Sequence, residues 1–189
     1  MTAVVTAEAR RQGIARTGLL AALASETVFF GTLLSAYLFM RLGQPGWPQV
    51  ATTPARIVLP ALNTLVLLVS ALAVVLGERA LVRGSARGLS LGLGAALVLG
   101  LVFVGGQIAE FTSNGMQPGD QAFGGVFFTL MGFHAVHVLA GAVWLAINLV
   151  RTRLGDFTSA RHISISMGTW FWIYVTCVWL TMFIGLYLV

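Results

Sequence analysis

The sequence predicts an all-α protein that lies in a membrane as a bundle of five transmembrane helices, with the N-terminus cytoplasmic and the C-terminus outside. Three observations carry this reading. First, 58% of the 189 residues are hydrophobic and 9% are charged, with a mean hydropathy of +0.90. A soluble domain carries roughly 25% charged residues, so the composition excludes a soluble enzyme, a disordered chain and a nucleic-acid binder. Second, the apolar residues gather into runs long enough to cross a bilayer, which takes about 20 residues per helix. Third, the arginines fall between those runs with a strong bias to one side. The roughly ten-residue alternating segments of a membrane barrel are absent.

The first run is Gly18–Met40, interrupted only by Glu26. The second, Ile57–Leu76, is uncharged throughout. Leu89–Glu110 is rich in glycine and closes on Gln107 and Glu110. Ala122–Val150 is uncharged but contains His134 and His137. The fifth, Ile163–Val189, is uncharged to the end of the sequence. Together they make one transmembrane domain, residues 1–189, with loops of about a dozen residues and no internal repeat. The stretch 43–54 is the most loop-like, with three prolines, and Asn114-Gly115 and Pro118-Gly119 mark turns between the third and fourth runs.

Orientation follows from the basic residues, since cytoplasmic loops carry an excess of Lys and Arg. Arg10, Arg11 and Arg16 precede the first run, Arg79, Arg83 and Arg87 follow the second, and Arg151, Arg153 and Arg161 follow the fourth. The opposite side receives Arg41 and Arg56, together with Asp120. This split accounts for the net charge of +5 without a basic partner surface. Ala22-Leu23-Ala24 mimics a signal-peptide cleavage site, but the apolar run continues well past it, and no cleavage is expected.

A carboxylate within a membrane run is costly and is a functional candidate by default. Glu26 is the clearest case: it reads equally as a proton-relay or cofactor-side carboxyl and as a hydrogen-bonded lock on helix packing. Glu110 lies at the end of its run, where an exposed interfacial carboxylate is expected, with Gln107 one turn earlier on the same face. His134 and His137, three apart, share a face of the fourth helix. Structural metal sites use about four ligands, and the remaining histidine, His162, lies in a loop. No metal, haem or other cofactor site is therefore expected in this chain. The lone Cys177 offers no disulfide and no paired-cysteine metal site. The glycines of the third and fourth helices, including the Gly88–Gly92 pair, are expected to serve close packing inside the bundle rather than a dimer. Trp172 and Trp179 read as packing or lipid contacts.

Several stretches resemble subunit III of the haem-copper respiratory oxidases, in the short five-helix form of many bacterial enzymes. Gly124–Leu145 (GGVFFTLMGFHAVHVLAGAVWL), with Asp120 before it, is similar to the family's paired-histidine helix. Ser25-Glu26-Thr27-Val28-Phe29-Phe30 resembles the segment bearing the family's buried membrane carboxyl. Gly46-Trp47-Pro48, the helix start at Leu62-Asn63-Thr64, Gln107-Ile108-Ala109-Glu110-Phe111 and the Phe157–His162 segment follow in the family's order. Ile173 and Thr176 depart from it, standing where the family's last helix carries His and Asp.

The resemblance implies a non-catalytic accessory subunit in the bacterial cytoplasmic (inner) membrane. It would pack on the catalytic subunit I, with subunit II in the same complex. It would enclose phospholipid and support proton uptake during oxygen reduction, the haem and copper residing in the partner subunits. Asn63, Gln107, Glu110, Asp120 and His162 are then motif residues, and Glu26, His134 and His137 the buried polar, proton-related group. A hydrogen bond from Glu26 to a histidine is expected, the resemblance favouring His134 over His137. The alternatives are a subunit III-like protein of a nitric oxide reductase and a small proton channel or transporter centred on Glu26. The histidine count disfavours a membrane cytochrome.

Cysteines introduced singly into the Arg79–Arg87 and Asn114–Asp120 loops should react with an impermeant thiol reagent from opposite faces of the membrane. Labelling of both from one face would overturn the five-helix topology.

Overall fold

The computed structural model describes residues 2–43, 54–113, 121–159 and 162–188. They form α1 (Thr2–Gly43), α2 (Pro54–Val82), α3 (Ala86–Ser113), α4 (Gln121–Arg153) and α5 (Ile163–Phe183), and α5 continues into a π-helical turn, Ile184–Leu188. All five contain a span long and apolar enough to cross a membrane, and the chain is a multi-pass membrane protein. Asp120 and the segment Gly46-Trp47-Pro48 lie outside the described residues.

The helices run past the apolar segments that define the spans. α1 includes Arg10, Arg11 and Arg16, which the sequence leaves in a tail, and α2 runs on through Glu78 and Arg79. Hydropathy marks where the bilayer ends. Arg and Glu are themselves good helix formers, so the backbone has no reason to stop there. What does stop it is glycine. Gly84 (φ +87) and Gly155 (φ +82) sit in the left-handed region that favours glycine. At each, paired backbone bonds close the preceding helix: Gly84 to Leu81 and Ser85 to Ala80, then Gly155 to Thr152 and Asp156 to Arg151. Ser85 then caps α3 by accepting the Gly88 N–H at 3.1 Å. The α2–α3 turn thereby shrinks to three residues.

This tight turn sets α2 and α3 side by side. A Cβ on Gly92 would lie 2.6 Å from both the Ala73 carbonyl oxygen and the Gly77 Cα, so the two backbones touch where neither has a side chain. Gly88 faces Ala80 in the same seam, so both glycines of the GxxxG pair pack within the chain. α5 lies across α2 and α4, and α1 is peripheral, meeting α4 and α5, with 11% of its span buried. The α2–α3 and α4–α5 turns lie at the same end, where Ser166 at the start of α5 donates to Glu78 Oε1 at 2.5 Å. Asn148, Ser164 and Trp144 form a second polar group at that end, with Ser164 donating to Asn148 Oδ1 at 2.8 Å.

Gly92→Val should force α2 and α3 apart and cost about 1–3 kcal/mol, the usual penalty of overpacking. Thermal unfolding of the solubilised protein reads this directly. An unchanged midpoint would show that the two backbones do not meet at Gly92.

Candidate functional site

Glu26 lies midway along α1 and His137 on the face that α4 turns towards it. His137 Nε2 is 3.1 Å from Glu26 Oε2, with the carboxylate side chain 36% and the imidazole 18% exposed at the outer surface of the bundle. The other ring nitrogen, Nδ1, is 2.7 Å from the Phe133 carbonyl oxygen one turn back. A carbonyl can only accept, so Nδ1 carries hydrogen. Exactly where the next proton sits then has two solutions: on Glu26, donated to a bare Nε2, or on Nε2, donated to a carboxylate. Either way one proton occupies the 3.1 Å contact, and the pair as a whole is neutral. That is the arrangement a low-dielectric setting favours over an isolated charge. Phe29 against Phe133 (centroids 4.9 Å) and Phe30 against His137 (5.2 Å) hold the two helices in register around it.

The sequence expectation of a Glu26–histidine bond is met, but by His137 and not by His134. His134 is three residues, about 300° around the helix, from His137 and points into the bundle instead of along its surface. It is 1% exposed, ringed by Phe30, Phe103 and Trp179, with centroids at 6.4, 5.9 and 5.4 Å. The direction in which each imidazole leaves α4 decides the pairing, His137 towards Glu26 and His134 into the aromatic interior.

Beside Glu26, α1 and α5 part to leave a cleft of about 210 Å³ lined by Thr27, Phe30, Leu34, Tyr174, Cys177 and Met182, among others. Its lining is almost wholly apolar, apart from Thr27 Oγ1, 3.3 Å from the Tyr174 hydroxyl. Ile173 turns outward at 38% exposure, while Thr176 is buried and donates to the Trp172 carbonyl at 2.9 Å. The two departures in the last helix thus differ in exposure, Ile173 at the edge of the packed face and Thr176 within it.

The remaining motif residues lie apart from this pair. Asn63 is buried in α2, its Nδ2 3.4 Å from the Phe103 carbonyl oxygen and its amide against Gly106 of α3. Glu110, expected to be an exposed interfacial carboxylate, is 2% exposed. The π-turn after α5 carries Tyr187 inward, where its hydroxyl donates to Glu110 Oε1. That contact comes from residues 77 positions apart, beyond any local pattern. Gln107, one turn from Glu110, is equally buried. His162 precedes α5, its carbonyl accepting the Ile165 and Ser166 N–H groups. Among the described residues no three His, Cys, Asp or Glu side chains gather into a group that could hold a metal ion.

Sequence reasoning passed over two indole bonds. Trp172 Nε1 donates to Ser70 Oγ at 3.0 Å, and Ser70 donates onward to the Ala96 carbonyl at 2.8 Å. Trp179 Nε1 donates to Thr64 Oγ1 at 2.9 Å. The seven-residue spacing of the tryptophans, about two helical turns, and the lone Ser70 in an apolar helix were the available signals.

Comparison with known proteins gives a consistent result. The family model described as cytochrome c oxidase subunit III matches residues 5–189. The chain is 31% identical to cytochrome c oxidase subunit 3 of Thermostichus vulcanus over 172 residues, covering 90% of this chain and 85% of that protein. It is 32% identical to the subunit 3 of Neurospora crassa and 30% to that of Homo sapiens, spanning 65% and 68% of their lengths and 90% and 91% of its own.

Glu26→Gln, His137→Phe and the double variant form a cycle that measures the pair. Hydrogen bonds between membrane helices couple by about 0.6 kcal/mol on average and up to ~1.7, so coupling within that range is expected from unfolding of the solubilised protein. Strict additivity would show that the two side chains do not interact. His134→Phe in place of His137→Phe should give no coupling to Glu26.

Proposed function

The chain belongs to the cytochrome c oxidase subunit III family, and on that premise we propose that it is a non-catalytic accessory subunit of a haem-copper terminal oxidase. It packs on the catalytic subunit I, alongside subunit II, and holds membrane lipid against the complex. It supports proton uptake while the complex reduces oxygen. The reading covers cytochrome c and quinol oxidases alike. It places the protein in a bacterial cytoplasmic membrane, the N-terminal arginines inside.

One observation supports this reading above the others: a protonatable pair stands at membrane depth beside an apolar cleft, on the least buried helix. The α1–α5 cleft has the mainly apolar lining that suits an acyl chain. The Glu26–His137 contact holds a single proton at the bundle surface, where a partner subunit or lipid completes its surroundings. A pair of this kind stores or buffers a proton; it does not need to turn over substrate. Thr27 and Tyr174 form a polar pair at the cleft wall.

Isolation from the native membrane in mild detergent should yield this chain together with a haem-containing subunit; isolation alone would favour a transporter and overturn the proposal. Within the isolated complex, Glu26→Ala should leave the initial rate of oxygen reduction near that of the parent and shorten the period over which turnover is sustained. A fall of ~100-fold or more, the size of losing a general acid–base, would instead put Glu26 in the catalytic pathway.

A further inference from the structure

Two side chains inside the bundle have no hydrogen-bond partner among the described residues: Gln107 at both amide atoms and His134 at both ring nitrogens. They are 2% and 1% exposed, so no neighbouring subunit or lipid headgroup reaches either one. A polar side chain left bare at membrane depth is strongly disfavoured, and buried polar atoms in proteins are satisfied in the large majority of cases.

The helix geometry brings the two together. α3 and α4 run antiparallel, Phe103 facing His134 at 5.9 Å between ring centroids and Phe111 facing Phe127 at 6.1 Å. Gln107 is one turn beyond Phe103 on the same face of α3, at the level of Leu130 and Met131 of α4. Side chains in a helix lean towards its N-terminus. Gln107 therefore leans back towards the level of Phe103, and His134 leans back towards the level of Leu130. Because the helices are antiparallel, the two lean towards each other across a height of about one turn, roughly 5.4 Å. Phe103 and Trp179 close the other sides of the imidazole.

We propose that Gln107 and His134 hold an ordered internal water molecule that bridges α3 and α4. Water is the ligand whose valence fits. It donates one hydrogen to the Gln107 carbonyl oxygen and the other to the bare ring nitrogen of His134, two of the roughly three bonds that a buried water makes. The bridge lies between the Glu26–His137 contact at one level and the Glu110–Tyr187 bond at another, and joins helices that also meet through the Phe103–His134 and Phe111–Phe127 ring contacts.

A structure of the native assembly, extracted with whatever other chains accompany it and resolved well enough to show ordered water, tests this. The expected result is one water peak within about 3.5 Å of both Gln107 and His134. A direct Gln107–His134 bond, a space filled by an apolar side chain, or a peak on one residue only would overturn it. Gln107→Leu in the same assembly should abolish the peak; a peak retained there would overturn the bridging role. The parent structure decides the matter if that variant does not assemble.

Discussion

Trp172 is the point at which four of the five helices meet. Its ring enters a slot that exists because two facing residues lack a side chain: a Cβ on Gly100 of α3 would lie 2.7 Å from it, and one on Gly141 of α4 2.8 Å. Its indole N–H donates to Ser70 of α2, which passes the bond on to the Ala96 carbonyl of α3. Lipid tails are as apolar as leucine, so helices in a bilayer gain little from apolar contact as such. Close packing and interhelical hydrogen bonds are what hold them together. At Trp172 both operate on the same residue, and the placement of α5 against α2, α3 and α4 follows from it. Two turns along, Trp179 repeats the device against Thr64, with Phe103 edge-on at 4.9 Å.

α1 stands outside that junction. Its polar tie to α4 is the Glu26–His137 contact, with the Phe29–Phe133 edge contact beside it, and the cleft towards α5 is open. The least anchored helix thus carries the only carboxylate found near mid-span among the described residues. Structural economy would place such a group in the interior, where its partners could be fixed. A half-exposed, single-proton pair on a peripheral helix fits a subunit whose surroundings are completed by other chains and by lipid, as in the proposed accessory role.

The polar residues of the family motifs divide by depth and direction rather than by sequence neighbourhood. His134 and His137 are three apart, yet one faces an aromatic interior and the other the bundle surface. Three residues of an α-helix turn about 300°, close enough to share a face but not a partner. At this packing density that difference separates a surface ion-pair partner from a core side chain. Gln107 and Glu110, also three apart, are both buried but differ in partner: Tyr187 reaches Glu110 and not Gln107.

Composition and pattern by themselves determined that the chain spans a membrane five times, which segments do so, and that Glu26 is the carboxylate within them that needs a partner. These are properties of single segments set against the bilayer, where length, hydropathy and the cost of a charge decide the outcome locally. The stops at Gly84 and Gly155 went unread in the sequence, although glycine takes that backbone conformation most readily. Which histidine meets Glu26, the burial of Glu110 and the Trp172–Ser70 bond were decided by tertiary structure. Each joins helices far apart in sequence, and each depends on rotation about a helix axis. Apolar residues on every side of a membrane helix leave that rotation unmarked in the sequence, so only the packing of glycine slots against indole rings fixes it.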